Sequence, residues 1–141
     1  MPLTAAEIQH IIRTGLPAAD EIDLRIDEVA ADHVVARYPF RPSMIRPGGT
    51  VSGPTLMGLA DAAMYAAIMA RLGRVEMAVT SNLNINFLSK PQPADLLARA
   101  RVLRLGSRLA FLEVELYAEG NGDMVAHVTG SYALPSRREY A

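Results

Sequence analysis

The chain contains no cysteine. Disulfides, thiolate metal sites and cysteine nucleophiles are therefore excluded. It also lacks an excess of either charge, with 14 Lys and Arg against 15 Asp and Glu. That balance gives no reason to expect a nucleic acid or an anionic membrane as partner. Histidine is scarce, present only as His10, His33 and His127. The N-terminus, MPLTAAEIQHIIRTGLP, lacks the basic run and apolar core of a signal peptide. The longest apolar stretch of the chain, Gly53 to Leu72, is too short and too interrupted for a bilayer span, which needs ~20 predominantly apolar residues. Internal repeats, linkers and low-complexity segments are absent. The expectation is a soluble cytoplasmic protein without metal or cofactor.

What is present is one ordinary globular composition, 50% hydrophobic and 21% charged over 141 residues. Residues 1–141 read as a single domain with its own core, an N-terminal helix within 1–17 and a frayed tail at 136–141. The chain is organised around Gly53 to Leu72. Of the 18 residues from Thr55 to Leu72, only Thr55, Gly58, Asp61 and Arg71 are not apolar, and six are Ala. A helix apolar on nearly every side is a buried one. Pro54 suits its first turn and Gly73 its end. Asp61 is the one carboxylate in this rod. A buried, unpaired carboxylate is costly, so two readings stand: an Asp on a solvated edge of the helix, or a functional acid.

Around this helix the chain alternates between periods. Thr4 and Glu7 form a capping box that opens a helix to about Thr14, with Ile8, Ile11 and Ile12 on its apolar face. From Glu21 the period becomes two, with Ile22, Leu24 and Ile26 on one face of a strand. A turn at Ala30–Asp32 leads to a second strand, His33 to Phe40, with His33 exposed at its start. The Pro- and Gly-rich loop from Arg41 to Val51 carries Arg46 close to the helix entrance, as a solvated charge or a ligand contact. Val79 to Phe87 alternates cleanly: Leu83, Ile85 and Phe87 on one face, Thr80, Asn82, Asn84 and Asn86 on the other. The Asn residues line a wet cavity or face solvent.

Leu96–Leu105 and Leu109–Glu119 form a hairpin. Pairing Leu105 with Leu109 sets Arg101 opposite Glu113 and Arg99 opposite Glu115, and a one-residue slip would set charges against aliphatics. With Glu119 opposite Asp123, the last strand, to Leu134, offers Met124, Ala126 and Val128 to the core and puts His127 beside Glu115. The remaining surface of so apolar a helix calls for a second copy of the chain.

GTVSGPTLMGLADAAMYAAI, VTSNLNINFLSKP, the loop LGSR and DMVAHVTGSYAL together resemble the hotdog fold, in particular the PaaI-like (phenylacetate-pathway type) acyl-CoA thioesterases. The resemblance covers roughly residues 20–134. It implies an α+β hotdog fold, a curved antiparallel β-sheet wrapped around a long central helix. The family shows a His-Gly-Gly at the helix entrance and an acid within Leu-Ala-Asp. Leu59-Ala60-Asp61 and Gly53 match; Ser52 stands for the His, Pro54 for the second Gly, and Arg46 for a frequent Asn.

The resemblance implies hydrolysis of an acyl-CoA thioester. Asp61 would be general base or nucleophile, the Gly53 N–H an oxyanion donor, and Thr80, matching the family's Ser/Thr, an assistant. Asp61 lies ~12 Å along the helix from Gly53, so one carbonyl reaches both only across two antiparallel helices. The family implies such a site shared in a homodimer, itself paired as a dimer of dimers. Arg46, Ser52, Pro54, Met57 and Asn82 are candidate substrate contacts, with Lys90 and Arg108 for the CoA phosphates. The alternatives are a non-catalytic acyl-CoA-binding hotdog protein and, lower, a hotdog hydratase or dehydratase, whose His partner is missing.

Overall fold

The structure is a computed structural model that describes residues 2–136. Thr4 caps helix α1 (Ala5–Gly15) in a reciprocal box with Glu7. Pro17 starts a second, unexpected helical turn, α2 (Pro17–Glu21). The first strand therefore begins late. Ile22 caps α2, Asp23 takes a positive φ of 61°, and only Arg25–Val29 forms β1. Strand β2 is Val34–Tyr38. The following loop holds a short 3-10 turn and closes on itself through an Ile45–Val51 bridge. It delivers the chain to helix α3 (Gly53–Leu72), then β3 (Val79–Phe87), β4 (Leu96–Leu105), β5 (Leu109–Ala118) and β6 (Met124–Ala133).

The strands form one antiparallel sheet in the order β1-β2-β4-β5-β6-β3. Helix α3 lies chiefly against β4, β2 and β5, and this is the hotdog architecture. By length and composition α3 could cross a bilayer. Here it is the core helix: Leu56, Leu59, Ala60, Ala63, Met64 and Ile68 are buried, among others. Gly130 lets β6 approach it, because a Cβ there would stand 2.8 Å from Met64 Sδ and from the Asn82 carbonyl.

The charge and apolar ladders of the β4–β5 hairpin fall in the expected register: Arg101 opposite Glu113, Arg99 opposite Glu115, Leu96 opposite Ala118. Bulges alter the rest. At Leu103 one residue is inserted, so Leu105 faces Ala110 rather than Leu109. At Val125 another is inserted; Met124 faces Tyr117, and Val125 takes the buried place expected for Met124. His127 does sit opposite Glu115, but its Nε2 bonds Glu113 on the diagonal, at 2.9 Å. His33 is not exposed: its ring is held by Asp32 at 2.8 Å and Glu28 at 3.4 Å. Of the tail, Pro135 is buried, and 137–141 lie outside the described residues.

Candidate active site

Asp61 is half-buried on α3, facing the sheet at its β6–β3 side. Two hydroxyls converge on one of its oxygens. Thr80 donates to Oδ1 at 2.6 Å and Tyr132 donates to the same atom at 2.7 Å. Tyr132 also donates to the Asp61 carbonyl at 3.0 Å. Among the described residues no cation pairs with Asp61, and Oδ2 accepts no hydrogen bond. The carboxylate is thus oriented by neutral donors and keeps one oxygen open.

A bulge places Thr80 there. Simple alternation puts Thr80 on the same face as Asn82, Asn84 and Asn86. In the structure Thr80 pairs with Tyr132 and Asn82 with Ser131, so Ser81 is an extra residue. The insertion turns Thr80 to the helix side while Asn82 stays on the outer face, in the row of Ser131 and Phe111. Asn82, expected as a substrate contact, therefore points away from Asp61.

Two phenols surround the carboxylate, and neither was expected. Tyr132 is 4% exposed and stacks on Tyr65, ring centroids 6.0 Å apart. Burial, and then the charge of Asp61, push its hydroxyl well above the ordinary phenol range. Tyr38 reaches α3 at Gly58, where a Cβ would stand 3.3 Å from its hydroxyl. Burial and the Asp61 charge push it up to about 12. The signal for Tyr132 was its parity with Gly130, Val128 and Ala126, which sets a hydroxyl on a core face where it must find a partner.

The second half of the site lies at the start of α3. Ser52 is the N-cap: its Oγ accepts from the Thr55 N–H at 3.4 Å and bonds the Thr55 hydroxyl at 2.7 Å. Pro54 has no N–H to offer. The Gly53 N–H finds no acceptor among the described residues. The Phe87 ring lies over Gly53, 3.1 Å from where a Cβ would be. Gly53 and Phe87 border an open cleft of about 240 Å³ that also touches Arg46, Leu56 and Lys90 and no acidic side chain. Neither Arg46 nor Lys90 forms an ion pair among the described residues. The cleft thus gathers Arg46, Gly53 and Lys90; Pro54 follows Gly53 directly, and the exposed Met57 lies one helical turn on. Arg108 is not with them; it sits in the β4–β5 loop, where its carbonyl accepts from Leu134 N at 2.8 Å. Among the described residues no group of three His, Asp or Glu is arranged to hold a metal ion.

Residues 48–125 match the model of the family described as Thioesterase superfamily. The chain belongs to that superfamily. Members resemble it over nearly its whole length. A candidate thioesterase of Silicibacter sp. TM1040 is 35% identical, with a TM-score of 0.85 over 94% of this chain and 92% of that one. Zebra fish thioesterase superfamily member 2 is 27% identical, with a TM-score of 0.80 over 94% and 99%. A mutant form of the phenylacetic acid degradation protein PaaI from Thermus thermophilus is 28% identical, with a TM-score of 0.72 over 83% and 97%. The superfamily match takes in Gly53, Asp61 and Thr80; Tyr132 lies beyond it. Membership makes the protein a thioester or ester hydrolase in general terms, and leaves the acyl carrier and the residue roles to be argued from the site.

Proposed function

We propose that the protein hydrolyses an acyl-CoA thioester to the free acid and CoA, with Asp61 as general base or nucleophile. One observation carries this reading: in a largely apolar helix, Asp61 is held by two neutral donors on Oδ1, with no cation and a free Oδ2 among the described residues. A carboxylate kept for structure gains from a cation; one kept for proton transfer or attack must not be neutralised. As base, Oδ2 takes a proton from water and the hydroxide adds to the thioester carbon. The tetrahedral oxyanion collapses, the C–S bond breaks, and the leaving thiolate recovers the proton from Asp61. As nucleophile, Oδ2 itself adds to that carbon, the thiolate leaves, and water cleaves the resulting anhydride.

The oxyanion needs a donor, and the open Gly53 N–H at the positive end of a long helix suits it. Within one chain it is ~12 Å from Asp61. Strand β3 supports a way to join them. It is an edge strand of nine residues, VTSNLNINF, without charge or proline. Edges of that kind are normally guarded, so this one is suited to pairing. Its flanks expose Met77, Val79, Phe87 and Leu88. Thr80, bonded to Asp61, and Phe87, over Gly53, lie toward opposite ends of it. Antiparallel pairing of two β3 strands about their middle sets Thr80 across from the partner's Phe87, and so Asp61 toward the partner's Gly53. The active unit in this reading is a homodimer with two shared sites. Arg46 and Lys90 at the cleft suit the phosphates of the carrier.

The test is thiol release over a panel of benzoyl-, phenylacetyl-, short- and medium-chain acyl-CoA, on wild type, Asp61→Asn and Gly53→Pro, the last removing the candidate donor and pressing a ring on Phe87, with thermal unfolding to show that it folds. Each variant alone is expected to lose turnover. Co-expressed, half the dimers are hybrids and half the sites in a hybrid are intact, so about one quarter of wild-type activity returns. No return of activity in proven hybrids would refute the shared site. A binder without catalysis is the second reading, favoured by Ser52 and Pro54 at the entrance; calorimetric binding with no turnover on any thioester decides for it.

A further inference from the structure

We propose that Tyr132 is a positioning residue that, with Thr80, fixes the rotation of the Asp61 carboxylate so that Oδ2 is the oxygen presented to substrate. This rests on the functional reading above. The geometry is specific. The Tyr132 hydroxyl bridges two atoms of one residue, Asp61 Oδ1 at 2.7 Å and the Asp61 carbonyl at 3.0 Å. Bonding both ends of Asp61 ties the side chain to its own backbone and leaves χ angles little freedom. Thr80, arriving from β3 at 2.6 Å, closes the other side of the same oxygen.

Tyr132 is itself immobilised. It is 4% exposed and stacks on Tyr65, at an interplanar angle of 14°. The Tyr65 hydroxyl in turn donates to the Glu76 carbonyl at 2.7 Å, in the segment joining α3 to β3. A rigid chain thus runs from that segment through two rings to the carboxylate. The two donors come from neighbouring strands, β6 and β3, whose register is shifted by the Ser81 bulge. The bulge is what lets Thr80 and Tyr132 reach one oxygen together. The Tyr132 proton is a dependable donor at neutral pH, because burial and the adjacent charge keep the phenol un-ionised. Small errors of alignment cost catalytic rate steeply, so loss of this hydroxyl should be felt in turnover and not in binding.

Tyr132→Phe keeps the ring stack and removes only the hydroxyl. Its kcat should fall about 10- to 100-fold with KM within about twofold of wild type. In the Asp61→Asn background the same change should leave the residual rate where it was, since the hydroxyl acts only through that carboxylate. A packing role would lower both backgrounds alike. A second readout does not use activity: in an alkaline absorbance titration, Asp61→Asn should bring the Tyr132 phenol down toward its ordinary range. Unchanged kcat in a folded Tyr132→Phe variant overturns the role while leaving the hydrolase reading intact. A wild-type protein inactive on every thioester overturns the hydrolase reading and the role with it. If Tyr132→Phe does not fold, the titration decides, and a phenol indifferent to Asp61 overturns the proposal.

Discussion

Two carboxylates in this chain are held in opposite ways. Asp95, just before β4, has each oxygen engaged by a charged or amide donor: Phe40 N–H on Oδ1 at 2.8 Å and Arg37 Nη1 on Oδ2 at 2.8 Å. Arg37 also bonds Asp27 at 2.8 Å and Glu119 at 2.6 Å, so one guanidinium ties β1, β2 and the β4–β5 pair together. Asp61 has two hydroxyls on one oxygen and, among the described residues, no donor on the other. The first arrangement commits both oxygens of the group to structure. The second fixes the group and leaves its charge in use. On the function proposed above, hydrogen-bond partners, more than burial, separate a clamp from a reagent.

The largest effect should come from removing each charge in turn. Asp61→Asn should lower thioester turnover by about 10²- to 10⁴-fold, the usual contribution of a positioned acid or base. Its melting temperature should hold, since no ion pair is lost. Asp95→Ala should do the reverse: activity within about twofold, and a stability loss of about 2 kcal/mol from two bonds to an ionised group. Thiol release and thermal unfolding on both variants check this. Comparable loss of activity in Asp95→Ala would break the contrast.

A smaller effect separates the donors. Thr80→Val removes one of the two hydroxyls on Oδ1 and should lower kcat about tenfold, with little change in KM. Arg37→Lys keeps the charge but cannot fork between three carboxylates. It should leave kcat unchanged and lower the unfolding midpoint in urea. If Thr80→Val alters KM and spares kcat, Thr80 touches substrate instead of orienting Asp61.

The contrast was only half legible in the sequence. The buried helix, its Asp and the capping box of Thr4 could be read from periodicity and spacing, because those signals are local. The hairpin register could be read because Arg99 and Arg101 face Glu115 and Glu113, which leaves one energetically sensible pairing. What could not be read were the bulges at Asp27, Ser81, Leu103 and Val125. A bulge follows from how a strand must bend over the helix, a tertiary demand with no local signature. Thr80 was matched by family resemblance, but its face was set by Ser81. Asn82 keeps the face that alternation gives it, so the bulge separates it from Thr80. The clamp at Arg37 joins residues from four segments, and nothing in the spacing of Asp27, Arg37, Asp95 and Glu119 announces it.

The smallest effect lies in the pH dependence of stability, and it sharpens the contrast most. The Asp95 carboxyl is held below its ordinary 3.8 by the Phe40 N–H and then by Arg37. Glu113 is lowered from 4.5 by His127 and then Arg101. A group lowered in the folded state stabilises above its unfolded value, and that contribution is lost as pH falls through the folded one. Stability should therefore decline below about pH 4, and Asp95→Asn should flatten that decline. At the alkaline end the sign reverses. Tyr38 is raised from 10.0 to about 12, and Tyr132 is raised further. A raised phenol stabilises fully below its unfolded value, and stability drains away as pH climbs from there through the folded one. Part of that rise comes from the Asp61 charge, so Asp61→Asn should soften the alkaline decline. Denaturant unfolding from pH 3 to 12 on the two Asn variants reads both limbs. An alkaline limb that Asp61→Asn leaves unchanged would mean that the carboxylate's charge does not reach the two phenols, and the distinction between clamp and reagent would lose its electrostatic half.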